Sequence, residues 1–561
     1  MQVEKLTPAK RFRRAALPAR QRVTDAGVTA QAARIDATPP DLTPRAYTAT
    51  GVRALAVAVS RDGLPSSGLS VAALLESRGW TDIDAQRLFG IADVVALGHE
   101  AWQEAWQAAT PERLALQKGR AGAALGSSLH LRGLYFLVLA LIQIAGLVLT
   151  GFSLGSGSGF TLAQATAAGL GALFGLVLAN GFGQLLARDP WSLYLEHARV
   201  LAGLAAFRII GLAMALAIGL AVAALGLCLV SAPSLVATVG LAAVYFLLFA
   251  LYWLWVNTLL LLDLALTTLF SAVAGLAGMV LLQALWPGRW NPAFAPALGL
   301  ALANLLMGLV ATAWWGWWRS SGRPTRPLPR LSGAAVSQLL YLAYGCGVGL
   351  LIILDRLIAW HTGAQTGFFA VQPAYDVSSS WALLAFLLAM VGQEWLLAGF
   401  LVSLRDQMHR HSIADLAGYR RTLSEAYWLR LALGTLIAAA SGAAIAWLVS
   451  VLSAIPWLRP IVPSGEGSFV LRWGLIGYCL LAVALLNTGL VIGFSRPNRL
   501  MLPLALALAA DLAVGWTAAQ ATTYAASVLG LVAGSAVLLV STIVQVLALL
   551  RTPVYSICLD G

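Results

Sequence analysis

The sequence predicts an all-α polytopic membrane protein. About twelve transmembrane helices form two six-helix lobes, behind a small helical cytoplasmic N-terminal region. Three observations carry this expectation. Of 561 residues, 59% are hydrophobic and 11% are charged, with mean hydropathy +0.80. Ordinary soluble domains run near a quarter charged, so this composition excludes a soluble enzyme, a disordered chain and a fibrous repeat. The apolar residues also fall in runs near the ~20 needed to cross a bilayer. Finally, the arginines collect in alternate gaps between those runs, where topology signals lie.

Residues 1–130 form the expected cytoplasmic region and hold 16 of the 36 basic and 12 of the 24 acidic residues. The first 22 residues carry Lys5, Lys10, Arg11, Arg13, Arg14, Arg20 and Arg22 against Glu4 alone. No apolar core follows, so the segment does not read as a secretory signal. It suits anionic lipid. The net charge of +12 therefore calls for no nucleic acid partner. Residues 23–65, rich in Ala, Thr, Pro and Asp, read as a loosely ordered linker. From Leu69 a helical pattern begins, with Ser70 and then Thr81 or Asp82 as caps. Leu88, Ile91, Val95 and Leu97 continue it, giving two or three short helices. Trp102 and Trp106, one turn apart, read as packing groups.

Twelve spans follow, at 132–153, 163–187, 203–230, 234–257, 264–286, 293–318, 335–360, 381–403, 431–455, 468–494, 500–517 and 524–550. The run from 234 to 286 must break, because one helix of that length would be about 80 Å long. Asn257 and Asp263 mark the expected reversal. One set of alternate loops, with the C-terminal tail, holds 14 arginines, against 3 in or beside the other set. The positive-inside rule then places both termini in the cytoplasm of a cell (inner) membrane. Trp314, Trp315, Trp317 and Trp318 would form an aromatic cluster at the inner end of the sixth span. Residues 131–318 form the first lobe, the basic Pro-rich stretch 319–334 a cytoplasmic linker, and 335–561 the second lobe. Two lobes suggest a pathway between them.

Charges inside spans are costly and are functional candidates. Asp355 and Arg356 fall in the outer third of the seventh span, Glu394 beside Gln393 near the middle of the eighth, and Asp511 in the eleventh. Glu394 is expected to face a cavity, to be protonated, or to pair with Arg356, and a proton or cation bound there would couple transport to an ion gradient. The loop HTGAQTGFFAVQPAYDVSSSW faces outward on this reading and presents Tyr375 and Asp376, residue types that suit sugars. Tyr341 and Tyr344 lie one turn apart on the seventh span, where they either face a cavity or pack. Arg208 and Arg472 lie near enough to span ends to snorkel. Cys228, Cys346, Cys479 and Cys558 show no metal or disulfide spacing. No Walker A, HExxH or GxSxG pattern occurs, so no enzyme activity and no cofactor is expected.

The order DRLIAW, a loop with Tyr375-Asp376, a span holding Glu394, and the basic stretch YRRTLSEAYWLR resembles the Pel-type exopolysaccharide exporter family. That family belongs to the polysaccharide and multidrug flippase superfamily. GFGQLLARDPWSLYLEH adds Gln184, Arg188, Asp189 and Tyr194, which resemble the family's segment after its second helix. The resemblance covers about residues 165–430. It implies export of a polysaccharide or glycolipid across the inner membrane, in company with a cytoplasmic glycosyltransferase and other membrane subunits, as in biofilm production. Two rival readings are a membrane-embedded glycosyltransferase or polymerase, and a non-transporting scaffold for a polysaccharide synthase. The first needs acids and Arg or His in a large outward loop, where only His361 and Asp376 stand. The second would put all function in the N-terminal region.

Overall fold

The computed structural model describes residues 52–59, 68–77, 80–107, 160–195, 199–262, 264–285, 294–320, 331–364, 368–410, 416–456, 462–494 and 496–551. The chain divides into two compact units, one ending at Leu116 and one beginning at Gln117. Every regular element among the described residues is helical.

Among its described residues, the N-terminal unit has four short helices: α1 (Val52–Val59), α2 (Gly68–Ser77), α3 (Asp82–Phe89) and α4 (Val94–Gln107). Helix α1 falls in the stretch expected to be linker. Its Leu55, Ala56 and Val59 recur at helical spacing and are buried with Val71, Leu75, Val94 and Leu97. Thr81 caps α3 through a capping box with Asp84, and Gly90 closes that helix in the left-handed region at φ 72°. Asp82 instead receives the Val94 N–H and so starts α4. Ser70 lies inside α2 rather than ahead of it, and its side chain lies outside the described residues. Trp102 packs on the core of this unit, and the Trp106 side chain lies outside the described residues.

Among its described residues, the second unit has eleven helices long and apolar enough to span a membrane. They are α5 (Leu162–Leu195), α6 (Arg199–Ser231), α7 (Val236–Leu261), α8 (Ala265–Leu285), α9 (Phe294–Ser320), α10 (Leu331–Thr362), α11 (Pro373–Arg410), α12 (Leu416–Ser453), α13 (Glu466–Gly493), α14 (Asn498–Ala521) and α15 (Val528–Arg551). They correspond to all the expected spans except 132–153, which lies outside the described residues. Helix α7 ends at Leu261 and α8 begins at Ala265, so the break falls beyond Asn257, and Asp263 lies outside the described residues. Asn257 stays inside α7 and donates to the Trp253 carbonyl. Its amide satisfies itself on the preceding turn, so it does not break the helix.

Two cores organise this unit. Helices α5 to α9 enclose one around Phe182, Leu254, Leu259 and Met307. Helices α10 to α15 enclose the other around Leu351, Trp360, Tyr478 and Leu531. The lobes meet where α5 packs on α10. Small residues allow that approach. A Cβ on Gly345 would collide with the Asn180 carbonyl oxygen, and one on Gly349 would press on Val177 and Asn180. Gln184, singled out by the family resemblance, lies against Gly345 in this seam. At the far end of the seam the Val371 N–H donates to Thr166 Oγ1 at 3.1 Å, tying the lobes together.

Tyr341 and Tyr344 are both buried. Tyr341 is buried in the first core, and Tyr344 in the second, where its hydroxyl donates to Thr488 at 2.6 Å. At a seam, the roughly 60° between side chains three residues apart lets one serve each lobe. Trp315 packs its ring on Phe207, while the side chains of Trp317 and Trp318 lie outside the described residues.

Candidate functional site

Tyr375 and Asp376 are not in an exposed loop. Helix α11 begins at Pro373, which is favoured in a first helical turn. That start draws both residues, with Ser378 and Ser379, fully into the second lobe. There they meet the last turns of α10, which bring Asp355, Arg356 and Trp360 to the same end of the bundle.

The hydrogen bonds are specific. Tyr375 donates its hydroxyl to Asp355 Oδ2 at 2.6 Å, Trp360 its indole N–H to Asp376 Oδ1 at 3.3 Å, and Arg356 its Nε–H to Ser379 Oγ at 2.9 Å. From α13, Tyr478 donates to the Ile352 carbonyl at 3.1 Å. Arg356 lies within electrostatic range of Asp355, Asp376, Tyr375 and Tyr478. Helix α14 adds Asp511, wholly buried, whose carboxyl packs on the Gly530 and Gly534 notch of α15. The field of Asp355 reaches it.

The arrangement holds three buried carboxyls against one guanidinium. Among the described residues, Asp355 Oδ1, Arg356 Nη2, Asp376 Oδ2 and both Asp511 oxygens have no hydrogen-bond partner. Each such atom costs about 1–3 kcal/mol, and more when charged. Helix packing alone would not favour so many, whereas a site that takes up charge would. Among the described residues no three His, Cys, Asp or Glu groups converge closely enough for a metal ion. The carboxyls are spread along the lobe instead.

Other sequence candidates lie elsewhere. Glu394 lies near the middle of α11 but too far from Arg356 to pair with it. Because α11 starts at Pro373, Glu394 falls close to Phe400, where the apolar stretch ends. It stands 15 residues beyond Ser379, about 22 Å along the helix axis. It is half-buried. Gln393 is buried and donates to the Gly434 carbonyl at 2.8 Å, joining α11 to α12. Nearby, Tyr427 donates to Asn487 Oδ1 at 3.2 Å. The side chains of Arg188, Asp189 and Tyr194 lie outside the described residues. Sequence reasoning missed Trp360, Ser379 and Tyr478. Trp360 lies one turn beyond Arg356, and Ser379 one turn beyond Asp376, so helical spacing from a known charge could have found both. Nothing local marks Tyr478.

No protein-family model and no curated protein matches the chain. Solved structures do. One is a mutant of the Vibrio cholerae MATE transporter VcmN, 15% identical, covering 77% of this chain and 98% of its own, with TM-score 0.52. A MATE transporter in complex with MaD5 is 13% identical, covering 77% and 97%, with TM-score 0.51. An outward-facing multidrug resistance MATE family transporter of the MOP superfamily is 12% identical, covering 78% and 97%, with TM-score 0.50. At such identities the likeness is one of fold: the chain has the all-helical, two-lobed architecture of the MATE transporters.

Proposed function

We propose that this chain is a membrane transporter that exports or flips an exopolysaccharide or lipid-linked oligosaccharide, its two lobes alternating about the α5–α10 seam. The buried group of Asp355, Arg356, Asp376 and Asp511 is the observation that carries the transport reading. Ionised together, the three acids and one base would leave two net negative charges away from water. Protons or a monovalent cation entering from the arginine-poor end, outer by the positive-inside rule, would neutralise them. Arg356 competes with the entering charge for the same carboxyls. Occupancy thereby alters how α10, α11 and α14 hold together, and the lobe acquires two states of similar energy.

The seam supplies the moving part. It is narrow, made of small residues, and tied at its outer end by the hydrogen bond from Val371 to Thr166 Oγ1. A single bond of that kind contributes about 1 kcal/mol, which a change of charge state nearby can overcome. The polysaccharide cargo rests on the sequence resemblance, as do the cytoplasmic glycosyltransferase partner and the inner membrane location.

Asp376→Asn in the producing cell is the test. Secreted polysaccharide should fall at least about ten-fold, the effect of losing one charge-assisted contact, with unchanged protein in the membrane. Normal secretion would remove the cluster from the mechanism. Cargo is tested separately in proteoliposomes. Translocation of a cationic dye without translocation of a lipid-linked oligosaccharide would overturn the glycan reading.

A further inference from the structure

We infer that the end of the α11–α12 seam opposite the charge cluster binds the headgroup of an anionic glycerophospholipid in the inner leaflet. This goes beyond the transport reading and rests only on the chain's spanning a membrane with its arginine-rich loops inside.

Depth comes first. About 20 helical residues cross the hydrocarbon core. Counted back from Ser453, the outer end of α12, they reach about residue 433, and counted from Pro373 on α11 they reach about residue 393. Arg430 and Trp395 therefore fall together at the inner bilayer boundary. Trp395 is 52% exposed, and boundary depth is where tryptophan prefers to lie.

The local shape comes next. Trp395, Gly399 and Ser403 recur every fourth residue and share one face of α11. Gly399 leaves a notch in that face, because a Cβ built there meets nothing within 4 Å. Arg430 of α12 reaches across beside it. Its Nη2 donates to the Gly399 carbonyl and to Ser403 Oγ, each at 3.3 Å, and its Nη1 to the Ala426 carbonyl at 3.1 Å. The guanidinium carbon lies 5.0 Å from the Phe400 ring centre. These contacts fix the guanidinium plane at the rim of the notch. Among the described residues, its Nε–H and second Nη1–H have no acceptor. Each of these charge-assisted donors suits a phosphate oxygen. Exposed Arg420, further along α12, adds positive field on the cytoplasmic side, while Arg421 is paired with Glu425 at 2.9 Å. The notch admits the glycerol-phosphate, Trp395 borders the upper acyl chains, and Arg430 selects a headgroup of net negative charge.

The test uses the purified full-length protein in detergent with equimolar phosphatidylglycerol and phosphatidylcholine of the same chains. Native mass spectrometry counts the lipid retained. The wild type should retain phosphatidylglycerol over phosphatidylcholine. Gly399→Leu, which fills the notch and leaves the bonds of Arg430 in place, and Arg430→Gln should each weaken that retention about ten-fold, as expected for loss of a charge-assisted contact. Arg421→Gln, on the exposed face, should retain it. Equal retention of both lipids by the wild type overturns the proposal, as does unchanged retention by Gly399→Leu. The glycine variant carries this test even if Arg430→Gln does not fold. Displacement of the lipid by millimolar inorganic phosphate would mark a free-anion site and would overturn the lipid assignment.

Discussion

Replacing Arg356 by Met separates the structural work of the charge cluster from its work in transport. Arg356 is wholly buried, bonded to Ser379, and the only base within range of Asp355 and Asp376 among the described residues. Methionine preserves much of the volume and removes the charge. A buried ion stripped of its partner destabilises by roughly 3–5 kcal/mol. The lost bond to Ser379 is part of that figure. Arg356→Met should therefore unfold at a markedly lower SDS fraction in mixed micelles, followed by circular dichroism. Adding Asp376→Asn removes one of the stranded charges, and the double variant should recover to within about 2 kcal/mol of wild type. Its transport should remain absent, because the exchangeable charge is gone. Two results would refute the reasoning. One is an Arg356→Met protein within about 0.5 kcal/mol of wild type, the range of an ordinary surface change. The other is a double variant that transports normally, which would make the cluster a structural clamp.

Two further predictions address other parts of the chain. Gly345→Val should lower stability by about 1–3 kcal/mol, because its Cβ meets the Asn180 backbone oxygen across the seam; a variant as stable as wild type in the same SDS titration would deny the close approach. In the N-terminal unit, hydrogen bonds from the Thr81 side chain and backbone hold the Asp84 carboxyl below the usual aspartate range. Its support for α3 is thus full above that range and is lost as pH falls through the lowered value. Exchange protection of α3 amides, corrected for intrinsic rate, should decline on acidification, and Asp84→Asn should remove the dependence.

Much of the architecture was legible because it depends on local properties. Runs of apolar residues set eleven of the twelve expected spans, since crossing a bilayer demands length and hydropathy that any window of sequence displays. The capping role of Thr81 was legible for the same reason: a cap acts within one turn. Helix ends were less so. Placing the start of α11 at 381 rather than Pro373 exposed Tyr375 and Asp376 on paper and moved Glu394 to mid-membrane. Polar residues at the start of a membrane helix look like loop when their neighbours in the chain, rather than in space, are considered. The apolar spacing of Leu55, Ala56 and Val59 was hidden by its polar surroundings in the same way.

The sequence by itself determined that this protein spans a membrane many times, in two groups of helices, and that Asp355, Arg356 and Asp511 stand in apolar surroundings. Only the tertiary structure decided which of those charges share an interior. Hydropathy is a property of a segment, whereas the meeting of Asp355 with Tyr375, of Asp376 with Trp360, and of Tyr341 and Tyr344 with opposite lobes follows from how helices distant in sequence turn their faces toward one another.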